Sequence, residues 1–440
     1  MRQRSTLSLL ILFIGLALVP VQNPPAAADP LFQEIAPLTK SDRILILAPH
    51  PDDESIACSA AIQKAVKNRA DIRVVYLTNG EHNQLAFIVY EKRIPFKQKE
   101  FIHLGQVRRQ ESIRAMQLLG LSPEQLIFLG YPDFGTFIIF NQYWGEGKPF
   151  KDALTRISSV PYQENLSFGA PYKGENILAD LEKILLDFKP NKIFVSHPAD
   201  VNVDHRALYL FLEVALADLE KKIPQPQVYP YLVHYLDWPL PRHYHPELPL
   251  EPPEKFLHSQ IRWMEMGLSR QQVEKKYQTI LCYKSQTESS AFYLFSFARK
   301  NELFGSYPRF SLSSPTASPQ DRQAKISYSK EEGDFCIHIQ KAAELEKRLS
   351  FILYIFGYSD ETPFARMPKI RIVARYRRLK VFAQGKLIKA EDIFLEERDS
   401  EFILRIPFKI LGKPNFVLTG MRTGNKALPA EATIFRRIDI

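Results

Sequence analysis

Between residues 44 and 235 the chain alternates two patterns. Short apolar runs end at Pro, Gly or polar residues, and each leads into a longer stretch of helical spacing. The runs 44–47, 72–78, 126–129, 192–196 and 228–235 read as strands, and 55–67, 106–119, 176–188 and 203–222 as helices. Apolar runs with no polar face belong to strands buried on both sides. Their alternation with helices predicts an α/β fold with a Rossmann-like, doubly wound, mostly parallel sheet. Two long excursions, 81–105 and 131–175, interrupt the alternation. Connections of that length are usually functional. They are rich in Phe, Tyr and Asn and include Trp144, which suits stacking on sugar rings. A packed, structural excursion is the competing expectation.

The pattern changes at Ser311. Residues 311–324 are rich in Ser and Pro and read as a linker. Beyond them, 335–340, 349–356, 369–376, 379–383, 402–407, 416–420 and 433–438 read as short strands, which predicts a C-terminal all-β, sandwich-like domain over 325–440. It loosely resembles sugar-binding modules. The expectation is a domain over 40–310 that carries the chemistry, and an accessory domain that folds separately and holds it on an extended glycan. In the alternative the sandwich packs against the first domain and supports it.

Residues 1–28 stand apart. Arg2 and Arg4 precede an apolar run from Leu7 to Val21, and Ala26-Ala-Ala28 follows. This predicts a cleaved signal peptide and a periplasmic or extracellular protein, with an uncleaved membrane anchor as the alternative. A net charge of +9 suits an anionic envelope surface or polymer, and nothing resembles a nucleic-acid module. The basic run 371–380 reads as a solvated strand face before it reads as a polyanion site. Three cysteines, Cys58, Cys282 and Cys336, make no disulfide framework and read as buried thiols.

Two clusters carry candidate chemistry. His50-Pro-Asp-Asp-Glu54 closes the first strand and opens a helix. Carboxylates at such a turn often only cap the helix. His50 and Asp53, three apart across the turn, can instead converge on one divalent ion while Asp52 stays unliganded beside it. The second cluster, His197-Pro-Ala-Asp-Val-Asn-Val-Asp-His205, also follows a strand and opens a helix. Two strand ends bearing His and Asp are what a His/His/Asp metal site in a sheet crevice requires.

The first cluster resembles the signature of the LmbE-like, or PIG-L-type, zinc-dependent N-acetylglucosaminyl de-N-acetylases. Residues 197–205 resemble the second motif of that family, departing at Asn202, where many members carry His. Arg108-Arg-Gln-Glu111, the segment 128–133 and Tyr283-Lys-Ser-Gln286 agree with further family segments, so the resemblance covers about residues 40–290. It implies one zinc ion per chain, or another divalent ion, held by His50, Asp53 and His205. It implies Asp52 as general base and Asn202 as a weaker substitute for an oxyanion-stabilising His. It places Glu81, Arg108 and Asp133 at the sugar; simple pairing of Arg108 with Glu111 along a helix is the structural alternative. His197 is read as orienting its neighbours rather than as a ligand. His82 and His103 could face crevice or solvent, and His243 and His245 lie in a Pro-rich loop. The implied reaction removes an N-acetyl group from an N-acetylglucosamine-type sugar or glycoconjugate. Two alternatives remain: an amidase on a non-sugar N-acyl substrate, and a non-catalytic sugar-binding protein.

Overall fold

The structure is a computed structural model that describes residues 32–83, 88, 97–257, 259–312, 326–340, 350–375, 378–423 and 430–440. The expected signal segment 1–28, most of the linker and part of the first excursion lie outside the described residues.

The apolar runs form the centre of a sheet. Gln227–Tyr231, Lys192–Ser196, Arg43–Ala48, Asp71–Thr78 and Leu126–Tyr131 lie side by side in that order, all parallel. The first strand in sequence therefore sits at the centre, with the second and third on one side and the fourth and fifth on the other. Ile44 to Ala48 are buried on both faces, which is why that run has no polar alternation. The order reverses between Arg43–Ala48 and Lys192–Ser196. In open α/β sheets ligands bind at such a switch point, outside the carboxyl ends of the strands. Both chemical clusters leave these two strands.

Three details differ from the expected elements. The first helix is two, Asp53–Ala57 and Ser59–Asn68, broken at Cys58, whose backbone N–H still donates to the Glu54 carbonyl. The strand expected to reach Tyr235 ends at Tyr231, and the residues after it are caught by another loop. Arg262–Gly267 and Asn301–Ser306 extend the sheet in antiparallel pairing. Their composition hides them: Glu302 is wholly buried because Lys276 Nζ lies 2.7 Å from its carboxylate, and the other oxygen accepts from the Ala60 N–H at 3.0 Å.

The C-terminal region is all β. A four-stranded and a seven-stranded sheet face one another over a core that includes Phe335, Ile355, Ile372 and Leu404. Phe310–Ser311 adds to the larger sheet beside Arg436–Asp439, so the linker's first residue is already strand. The β region also packs against the α/β region. Helices Thr136–Gln142 and Val203–Asp218 share one apolar cluster with the β region. Phe140 meets Phe356 edge-on at 5.0 Å and Trp144 meets Phe364 at 5.1 Å. Tyr358 donates to Asp218 at 2.8 Å. Trp144 is thus a core residue between the two regions, not a platform for sugars, and Tyr162 and Tyr172 of the same excursion are also buried.

Candidate metal and catalytic site

The turn 49–53 is held in an unusual conformation. Asp52 has φ 123°, a region that side chains rarely adopt and that costs about 1–3 kcal/mol. Arg108 holds it there. Its guanidinium donates to the Pro51 carbonyl at 2.7 Å and the Gly80 carbonyl at 2.8 Å, and lies 3.3 Å from the Asp52 carboxylate. Arg108 therefore clamps two strand-end loops together and is itself buried. It does not pair with Glu111, which instead receives the backbone N–H and hydroxyl of Ser285 at 2.9 and 2.6 Å.

His50, Asp53 and His205 come together as the motif spacing implied. Asp53 Oδ2 lies 3.3 Å from His50 Nδ1 and 3.2 Å from His205 Nε2, and all three residues are buried. The His50 N–H also donates to Asp53 Oδ2 at 2.9 Å. His234 joins them: one ligand atom from each of His50, Asp53, His205 and His234 lies within 4.8 Å of the others. His234 follows the strand Gln227–Tyr231, the neighbour of Lys192–Ser196, so three adjacent strand ends feed one point. No motif surrounds His234 in the sequence. The signal that existed was its place just beyond a buried parallel strand.

Asp200 organises this group from behind. Its Oδ2 lies 3.0 Å from His205 Nδ1 and accepts the backbone N–H groups of Val233 and His234 at 3.1 and 2.8 Å. Its Oδ1 accepts from the Asn202 N–H at 2.9 Å. A carboxylate behind a ligating imidazole fixes its orientation. Asn202 is the N-cap of helix Val203–Asp218, its side-chain oxygen accepting from Asp204 N–H at 2.8 Å. Among the described residues, this cap is the hydrogen bond its side-chain oxygen makes.

On the other side of His50, Nε2 lies 3.1 Å from Asp133 Oδ1 and 3.3 Å from Asp204 Oδ2. Asp133 thus lies beside His50. Asp204 ties the following loop down through Phe134 N–H at 2.6 Å and Thr136 N–H at 3.1 Å. Glu81 is buried and accepts from the Asp133 N–H at 3.1 Å. His82 is turned inward, 2.9 Å from Asp152, with its ring beside Phe134, whereas His103 is exposed. His197 accepts from Ala199 N–H at 3.0 Å and stacks on Trp263.

The electrostatics divide the site. Burial pushes Asp52 up to about 7; Asp53 and Glu54 add to the rise, while Arg108 and His50 oppose it. Asp53 is held well below the usual carboxylate range: burial works against this, and His205 and His50 outweigh it. Burial likewise opposes the rise of His50 and His205, yet His50 is raised by Asp133, Asp204 and Asp53, and His205 by Asp200 and Asp53 up to about 9. Burial lowers His234 to about 4. The site is a buried cage of excess negative charge that favours a cation.

Whether a metal fits can be asked of the side chains. His205 is fully buried, yet neither ring nitrogen has a well-aligned hydrogen bond, and Asp133 Oδ1 is likewise without one. Buried polar atoms are rarely left so. Imidazole and carboxylate donors converging at this spacing suit zinc. The residues fit the ion.

An open α/β sheet with a His/Asp cluster and an unliganded carboxylate at its switch point defines a class of enzymes with a candidate metal site. Residues 45–216, less than half of the chain, match the family model described as PIG-L: GlcNAc-PI de-N-acetylase. The match ends before His234. Among solved structures, the N,N'-diacetylchitobiose deacetylase from Pyrococcus horikoshii is similar at 18% identity over 56% of this chain and 71% of its own, with TM-score 0.33. The zinc-inhibited form of a teicoplanin deacetylase is similar at 15% identity over 58% and 90%, with TM-score 0.36. A 4-carboxy-2-hydroxymuconate hydratase from Pseudomonas putida is similar at 16% identity over 59% and 83%, with TM-score 0.34. Such overlaps carry no inference about activity. No curated protein matches the chain.

Proposed function

We propose that this chain is an exported, zinc-dependent hydrolase that removes the N-acetyl group from an N-acetylglucosamine-type sugar or envelope glycoconjugate, releasing acetate and a free amine. The observation that carries the reading is the convergence of His50, Asp53 and His205 beside Asp52, which has no part in the cluster itself. His50, Asp53 and His205 would hold the zinc, which when bound supplies Lewis-acid polarisation of the acetyl carbonyl.

Asp52 does the proton chemistry. Its carboxylate, lifted to about 7, matches the operating range of a general base. It takes the proton of the attacking water, and once protonated it is placed to return that proton to the departing amine. Arg108 keeps Asp52 in its strained position and limits how far its affinity for protons rises. Asp200 holds His205, and Asp204 together with Asp133 holds His50, so each imidazole keeps one orientation. Phe134 is exposed at the lip of the site, beside Asp133 and His82, and offers an apolar face to a sugar ring.

Acetate release tests the reading. Purified protein with zinc is incubated with N-acetylglucosamine oligomers and, separately, with a non-sugar N-acyl amine. Release from the sugars alone supports the proposal. Release only from the non-sugar amide replaces it with an amidase, and release from neither removes the catalytic reading.

A further inference from the structure

We infer that His234 is a fourth protein ligand of the metal, so that the resting site is three imidazoles and one carboxylate. The inference rests on reading the cluster as a metal site and adds a residue outside the family-matched region. Three observations carry it. A donor atom of His234 lies within 4.8 Å of donors from each of His50, Asp53 and His205, so all four can face one centre. The residue is built into place: its backbone N–H donates to Asp200, the carboxylate that also faces His205, and its ring lies beside Tyr293 and meets His205 at 4.7 Å. Finally, Nδ1 faces the Tyr293 hydroxyl at 3.4 Å, which leaves Nε2 as the nitrogen free to serve as donor.

The position also has a chemical logic. Asn202, in the motif between the strand end and His205, is engaged as a helix cap and is not among the residues that could hold the ion. An imidazole is supplied from the next strand end instead. One carboxylate and three imidazoles are within zinc's usual donor types; they would fill four positions at rest, and the acetyl carbonyl would have to join as a fifth, an expansion that catalytic zinc sites allow. They leave a net charge of +1 on the ion and its ligands, which Asp133 and Asp204 beside His50 offset.

The test is X-ray absorption fine structure on the zinc-loaded full chain, which counts imidazole ligands by their outer-ring scattering, paired with zinc affinity by chelator competition. Three imidazoles are expected in the native chain and two in His234→Ala. The variant should bind zinc more than roughly 100-fold more weakly, beyond the 10–100-fold usual for a residue acting from behind a ligand. Added imidazole should restore the third ring in the variant. Two imidazoles in the native chain overturn the inference, as does an unchanged count in the variant. The native count needs no variant, so a misfolded mutant cannot hide the answer. A chain with three imidazoles that releases no acetate upholds the ligand set and removes only the deacetylase reading.

Discussion

At the residue scale the account turns on Asp52 and the ligands beside it. His205→Ala should lose bound metal and activity together, which metal analysis and acetate release would check. Asp52→Asn should keep the metal and lose about 10²–10⁴-fold in rate, the usual size of a general-base contribution. The pH dependence follows from the direction of its shift. Asp52 is raised from an ordinary carboxylate value to about 7, so it is protonated and idle below that pH. The ratio kcat/KM should rise with pH as Asp52 loses its proton. A bound cation would pull the midpoint below 7 by favouring the charged form. The pH–rate profile of Asp52→Asn should lack that rising limb. Arg108→Ala should leave metal content unchanged but let the strained turn relax, at a cost of up to about 10²-fold in kcat if the carboxylate shifts by about 1 Å. Metal loss in that variant would show that Arg108 supports the ligands rather than the base.

At the scale of elements, Asn202 separates a cap from a catalytic group. Asn202→Ala should lower stability by about 1 kcal/mol, the usual loss for an N-cap, and Asn202→Asp should restore it. Thermal unfolding measures the first effect, and activity that follows stability rather than the amide would assign Asn202 to the helix alone. The same scale shows what the sequence made legible. The central strands Arg43–Ala48 and Lys192–Ser196 carry apolar runs because both faces are buried, and the two motifs mark their ends on either side of the switch point. Residues brought in by chain topology left no such mark. His234 acquires its meaning only once the strand Gln227–Tyr231 is known to lie beside Lys192–Ser196. The position of Arg108 along its helix says nothing of the two carbonyls that it reaches. Glu302 disguised a strand because its partner Lys276 comes from a separate helix.

On the scale of the whole molecule, the β region is bound into the enzyme. Helix Val203–Asp218 begins with Asp204 and His205 at the site and presents Phe211 and Leu212 to the cluster that also includes Phe356 and Phe364. Residues of the β region thus pack against the back of an element that positions a ligand. Phe356→Ala should cost about 3–5 kcal/mol, as for other large-to-small changes at buried aromatics. Truncation near Ser311 should then impair folding and lower activity on small and polymeric substrates alike. Equal kcat on a small N-acetyl sugar before and after truncation would instead make the β region a separable tether.

The most direct test of the central claim is a joint measurement on His205→Ala, Asp52→Asn and the native chain: zinc content per chain and acetate released from N-acetylglucosamine oligomers. The expected result is one zinc and acetate for the native chain, one zinc and almost no acetate for Asp52→Asn, and neither for His205→Ala. Full zinc occupancy in His205→Ala, or normal turnover in Asp52→Asn, would contradict it.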